Sequence, residues 1–134
     1  PSGAVAIEVA PMPVTPADPV EVEIAPLPVA PTDFRLRHKT SDRAFYDRAR
    51  NGFETLFEVD GQLTEGSFTN LFVERDGVLL TPPLGLGLLP GVLRAELIES
   101  GRAVEAALAR DDLARGFFLG NALRGLIPAR LKQE

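Results

Sequence analysis

Two Asp-Gly dipeptides, Asp60-Gly61 and Asp76-Gly77, interrupt a stretch of strand-forming sequence that runs from Phe53 to Pro83. Asp-Gly between apolar runs marks a two-residue hairpin turn, because both central residues must take positive φ. The flanking runs FETLFEV, LTEGSFTNLFVER and GVLLT carry the Val, Leu, Phe and Thr that suit a pleated, half-buried surface. A chain with two such turns at its centre is expected to fold around a sheet and not as a helical bundle.

The rest of the chain fits the same plan. Ala4–Ala10 and Val20–Ala25 read as strands with proline boundaries, joined by the turn-rich link PMPVTPADP. Ser41 is a good N-cap, and DRAFYDRAR after it has helical character, acid first and arginine last. LGLGLLPG reads as a Gly-rich loop entering a helix at VLRAELIES, with Gly91 near its start and Gly101 after its end. RAVEAAL reads as a short strand, and ARDDLARG as a helical turn ended by Gly116. FFLGNALRGLIPARL reads as two strands around GNALRG. The order β-β-α-β-β-β-α-β-α-β-β implies an α/β fold: a mixed sheet with helices outside it.

Composition narrows the chemistry. A formal net charge of −5 argues against nucleic acid as the main partner. No apolar run approaches the ~20 residues that span a bilayer, and no signal-peptide pattern opens the chain, so a cytoplasmic protein is expected. Without cysteine there is no disulfide, no thiol nucleophile and no Cys-based zinc site. A single histidine, His38, makes a His-rich metal site or a Ser-His-Asp triad a poor expectation, and no metal is expected. The first residue is Pro1 and not Met, so a piece of a longer polypeptide is expected, with a processed or tagged chain as the alternative.

Four segments carry more specific information: RHKT at Arg37–Thr40, LTEGSFTNLF at Leu63–Phe72, LLPGVLR at Leu88–Arg94 and FFLGNALRGLIPA at Phe117–Ala129. In this order they resemble the class IV aminotransferase family, the fold type IV pyridoxal-phosphate enzymes. The variants LRHKTSDRAFYD and LGNALRGLIPA are most similar to 4-amino-4-deoxychorismate lyase. They are especially similar to the lyase domain fused behind component I of aminodeoxychorismate synthase. The resemblance implies the large cofactor-binding domain of that fold, with its mixed sheet curled towards a barrel. That domain is expected over residues 19–134, and residues 1–18 are expected to be the remnant of a small N-terminal domain and its linker.

By the same resemblance Lys39 holds the aldehyde of pyridoxal phosphate covalently and acts as the catalytic base. Glu65 faces the pyridine nitrogen and keeps it protonated. The N–H groups of Gly91 and Val92 face the phosphate, with Asn121 and the Ala122 N–H on its other side. Read without the family, Lys39 is a loop lysine, Glu65 a turn residue and LGLGLLPG an ordinary loop-to-helix junction. His38 is expected to be structural. Arg43 and Arg124 are expected either to bind a substrate carboxylate or to form salt bridges. Tyr46 is expected to pack in the core, with its hydroxyl within possible reach of the cofactor. The implied reaction converts 4-amino-4-deoxychorismate to 4-aminobenzoate and pyruvate, in folate biosynthesis. A branched-chain or D-amino-acid aminotransferase is one alternative, and a truncated, non-catalytic domain is another. The intact protein is expected to pair as a homodimer and to act on a small molecule. This chain is expected to hold the cofactor weakly or not at all, because the small domain supplies an arginine and a lid.

Overall fold

The computed structural model describes residues 19–30, 33–36, 44–86 and 88–132. Eight strands form one mixed sheet. They are β1 (Val20–Pro26), β2 (Glu54–Val59), β3 (Gln62–Gly66), β4 (Asn70–Arg75), β5 (Val78–Thr81), β6 (Ala103–Glu105), β7 (Phe117–Asn121) and β8 (Gly125–Leu131). The order across the sheet is β3-β2-β1-β8-β7-β4-β5-β6, and a further pairing of β3 with β4 closes the first six into a barrel. β4 shares one edge between two neighbours: Asn70 pairs with Glu65 of β3, while Val73–Arg75 pair with β5. The expected α/β barrel is therefore the observed fold.

Both Asp-Gly turns form as read. Asp60 and Gly61 take φ of 51° and 78°, and Asp76 and Gly77 take 54° and 82°, the pairs of positive values that the tight hairpin needs. Val59 then faces Gln62, and Arg75 faces Val78. One expectation fails. LTEGSFTNLFVER is not one strand but two, β3 and β4, turning back at Ser67–Thr69, where Gly66 N donates to Thr69 O at 2.9 Å. Gly66 and Asn70 flank that turn, but no Asn-Gly, Asp-Gly or Pro marks its centre, Ser67–Thr69, which is held from another strand.

β1 runs parallel to both β2 and β8. A parallel pair needs a crossover, and residues 27–53 provide one, containing a 3₁₀ turn (Phe34–Leu36) and helix α1 (Ala44–Ala49). β1 ends at Pro26 and a 3₁₀ turn follows, so no described strand leads up to Lys39. Lys39, His38, Arg43, the Ser41 cap and the Ala4–Ala10 strand lie outside the described residues.

Alternate residues fill the barrel: Val20 and Val22, Leu71 and Val73, Phe117 and Leu119, Ile127 and Ala129 belong to one buried cluster, as inward positions of a two-residue repeat must. Leu108 and Leu113 join it, and Leu63 N donates to Leu108 O, so residues 106–114 close the end opposite the Ser67–Thr69 turn. Outside the wall, α1 packs through Phe45 and Tyr46 on Phe57. Helix α2 (Val92–Glu99) packs through Leu97 on Phe72 and Ala103. The short ARDDLARG helix is a 3₁₀ turn, Arg110–Leu113, and Gly116 follows at φ 96°.

Candidate active site

The site begins with an irregularity in β3. Glu58 pairs with Leu63 and Leu56 pairs with Gly66, so β3 advances three residues while β2 advances two. That is a β-bulge, and it reverses the inside-outside alternation beyond it. Leu63 points into the barrel. Strict alternation would send Glu65 there too. With the bulge, Glu65 lies on the outer side with Tyr46, whose hydroxyl donates to Glu65 Oε2 at 3.1 Å. Leu89 N donates to Glu65 Oε1 at 3.2 Å. Glu65 is only 2% exposed, so charge-assisted hydrogen bonds here escape most solvent screening.

Tyr46 is fully buried, stacked on Phe57 at 4.6 Å and 7° and tilted against Phe45 at 4.7 Å. The expectation of core packing is met, and the hydroxyl also reaches the site's carboxylate.

Strand register gathers the other candidates. Glu65 pairs with Asn70, and Asn70 pairs with Gly120, so three adjacent strands place these residues in one row, with Asn121 next to it. Asn70 Nδ2 donates to Leu89 O at 3.3 Å. Its Oδ1 lies so near the Gly91 Cα that a Cβ there would approach it to 2.3 Å. Gly91 is the N-cap of α2, in extended conformation (φ −63°, ψ 153°), and caps without a side-chain hydrogen bond. The first-turn N–H groups of α2 thus lack the usual side-chain acceptor. The Val92 side chain beside them is 62% exposed.

Arg94 steadies the approach to Gly91. Buried in α2, it donates to Pro82 O at 3.0 Å and to Glu105 Oε2 at 2.5 Å, while Leu84 N donates to the same oxygen at 3.1 Å. The Arg94 hydrogen bond, then the Leu84 N–H, hold the Glu105 carboxyl below its ordinary value.

Asn121 ends β7, at the entry to the β7–β8 turn. Its Nδ2 donates to Phe68 O at 3.1 Å and its Oδ1 accepts from Arg124 N at 2.8 Å. Ala122 follows it on the exposed side of the turn. The Arg124 guanidinium lies over Phe53 at 5.5 Å and Phe68 at 5.9 Å. The structure thus brings Glu65, Gly91, Val92, Asn121 and Ala122 to one end of the barrel. Sequence reasoning passed over Asn70 and Arg94, although both stand inside quoted motifs, and passed over Glu54, which no local motif marks. Among the described residues no cluster of His, Cys, Asp or Glu is arranged to hold a metal, and no helix is long and apolar enough to cross a membrane.

A buried carboxylate across from a helix N-terminus is a donor and acceptor set that suits a protonated ring nitrogen at one end and a phosphate at the other. Comparison with known proteins gives that set its class. The family model for class IV amino-transferases matches residues 1–131. The chain belongs to the class IV aminotransferase family, whose members are pyridoxal-phosphate-dependent enzymes. It is similar to the crystal structure of a protein assigned as an amino-acid aminotransferase from Mesorhizobium loti. The identity is 46% and the TM-score 0.82, covering 92% of this chain and 65% of that one. It is also similar to 4-amino-4-deoxychorismate lyase from Pseudomonas aeruginosa, at 27% identity and a TM-score of 0.69, over 90% of this chain and 52% of that one. Branched-chain-amino-acid aminotransferase from Escherichia coli is 32% identical over 90 residues, 60% of this chain and 29% of the relative. The chain spans about a third of the length of the curated relatives it matches.

Proposed function

We propose that this chain is the cofactor-binding large domain, residues 19–134, of a pyridoxal-phosphate-dependent 4-amino-4-deoxychorismate lyase, with residues 1–18 belonging to a small N-terminal domain. The observation that carries the cofactor reading is the position of Glu65, buried and bulged out of the barrel towards the loop that ends at Gly91. Bound there, the cofactor supplies an electron sink for the bond-breaking step.

The chain's own residues do the rest. Lys39 would hold the cofactor covalently, and its amine would serve as the general base that moves a proton. Glu65 holds a proton on the ring nitrogen, with Tyr46 and Leu89 N fixing its two oxygens. The Gly91 and Val92 N–H groups bind the phosphate at the start of α2. The Asn121 side chain donates to Phe68 O in the Ser67–Thr69 turn and accepts from Arg124 N in the turn that follows it. Its second Nδ2 hydrogen and the Ala122 N–H remain for the phosphate's other side. Products are 4-aminobenzoate and pyruvate. The intact protein pairs as a dimer and works in the cytoplasm. This chain alone holds the cofactor weakly.

The motif LGNALRGLIPA supports the lyase, as does the likeness to the Pseudomonas enzyme. An aminotransferase on the same residues is the second reading, favoured by the 46% identity to the Mesorhizobium protein. The test supplies pyridoxal phosphate and 4-amino-4-deoxychorismate, and separately a branched-chain amino acid with 2-oxoglutarate. Release of 4-aminobenzoate and pyruvate in the first assay supports the lyase. Glutamate formation in the second, with no 4-aminobenzoate in the first, replaces it with the aminotransferase.

A further inference from the structure

A second buried carboxylate stands eleven positions before Glu65, and nothing in the reaction above uses it. Glu54 is fully buried at the start of β2. Leu56, two residues on, points into the barrel, so Glu54 faces inward, away from the side on which Glu65 lies. Its oxygens accept from five donors. Thr55 N (2.9 Å), Ser67 N (2.8 Å) and Ser67 Oγ (2.6 Å) meet Oε1, while Phe68 N (3.1 Å) and Thr69 Oγ1 (2.9 Å) meet Oε2. Four of these come from the Ser67–Thr69 turn. Arg50 reaches the same turn from outside, donating to Ser67 Oγ at 3.0 Å.

That turn is the joint between the site residues. Glu65 lies just before it and Asn70 just after it, and they pair across it. Asn70 holds Leu89 O and abuts Gly91. Phe68 uses its N–H on Glu54 and its carbonyl on Asn121 Nδ2. Gly66 must be glycine here, because a Cβ would lie within 2.5 Å of the Glu54 carboxylate. The ring-nitrogen partner, the phosphate loop and the β7–β8 turn therefore hang from one turn, and its amides and hydroxyls converge on one carboxylate.

We propose that Glu54 is a positioning residue for the cofactor: through the Ser67–Thr69 turn it sets the spacing between Glu65, Gly91 and Asn121. This rests on the cofactor reading above. Residues that orient metal ligands from behind change metal affinity about 10–100-fold when altered, and the same order is expected here.

The test compares the wild-type chain with Glu54→Gln, which keeps the shape but turns an NH₂ group on hydroxyl and amide donors. Ile127→Val serves as a control that loosens the barrel core away from the turn. Amide exchange without cofactor is the first readout. Glu54→Gln should speed exchange at Ser67, Phe68 and the Asn121 side chain about 10-fold or more relative to β8, and Ile127→Val should not. The second readout is borohydride trapping of pyridoxal phosphate on Lys39, with cofactor titrated to millimolar levels. The half-saturating concentration should rise about 10–100-fold in Glu54→Gln and stay unchanged in Ile127→Val. Equal trapping in wild type and Glu54→Gln overturns the proposal alone, as does equal weakening by both variants. A wild-type chain that is not labelled at any concentration overturns the cofactor reading and this one with it.

Discussion

Replacing Gly91 with alanine probes the seam between β4 and the start of α2. The new Cβ would lie 2.3 Å from Asn70 Oδ1, far inside the ~3.5 Å at which non-bonded heavy atoms sit comfortably. Gly91 has φ −63°, so alanine suffers no backbone strain there and the whole effect is contact. Asn70 cannot yield easily. It is 6% exposed, paired with strands on both sides, and bonded through Nδ2 to Leu89 O. The loop at 89–92 must lift instead, which loosens both the Asn70–Leu89 bond and the Leu89 N bond to Glu65. Overpacking of this kind costs about 1–3 kcal/mol, and a hydrogen bond to a charged group is worth about 1.5–3 kcal/mol. The two overlap, so the expected loss is about 2–4 kcal/mol. Gly85 is the control: an added Cβ there meets nothing within 4 Å. Gly85→Ala should be neutral or stabilise by up to about 1 kcal/mol. Urea unfolding at constant slope gives both numbers. If Gly91→Ala shares the midpoint of Gly85→Ala, the close approach of Asn70 does not constrain the loop, and the account of the phosphate end fails.

Three further outcomes are expected. Tyr46→Phe keeps the stack on Phe57 but removes the donor to Glu65 Oε2; urea unfolding should show a loss of about 1.5–3 kcal/mol, and an unchanged midpoint would refute the bond's importance. Glu105→Gln should matter least in acid. Arg94 lowers the folded pKa of Glu105 below its ordinary 4.5, so the ion pair contributes above that value and is lost as pH falls through the lower, folded one. The gap between wild-type and variant melting temperatures should therefore be full near neutral pH and close below about 4.5; a gap that widens in acid would contradict the sign. Lys39→Ala should abolish borohydride-dependent labelling by pyridoxal phosphate while leaving the melting temperature of the cofactor-free chain within a few degrees, as expected for a residue whose role is towards the cofactor; labelling that survives would remove Lys39 from its role.

The legible parts of the sequence were those whose cause is local. Asp60-Gly61 and Asp76-Gly77 announce their turns because positive φ at both centres leaves few residue choices. Gly101, at φ 79°, ends α2 as expected. Glu65, Gly91 and Asn121 could be chosen from family motifs, and the fold brings them to one barrel end. What stayed hidden depends on partners distant in sequence. SFT carries no turn signal, because the turn is imposed by Glu54, thirteen to fifteen positions earlier. The bulge in β3 is equally silent. LTEG reads as plain alternation, and only pairing with β2 shows that two residues, Thr64 and Glu65, stand against Phe57. Closure by the β3–β4 pairing is a single residue pair in the register and leaves no periodic trace.

The two buried glutamates show why burial alone does not identify a functional carboxylate. Glu54 and Glu65 are 0% and 2% exposed, on neighbouring strands, at the same end of the barrel. A buried carboxylate must be compensated by donors or charge. Glu54 finds its compensation in four donors of one turn and the Thr55 N–H, all within three residues of a strand end, and so acts as a fixed internal anchor. Glu65 is compensated from two separate elements, a phenol on α1 and an amide in the loop before α2. Those elements are far apart in sequence, nineteen positions before Glu65 and twenty-four after it. A carboxylate bridging α1 and the 88–91 loop registers any movement of either. The single-residue bulge that turns Glu65 outward is what separates the two carboxylates: with strict alternation both side chains would point into the barrel interior, and the Tyr46 hydroxyl on the outer side would have no carboxylate to meet.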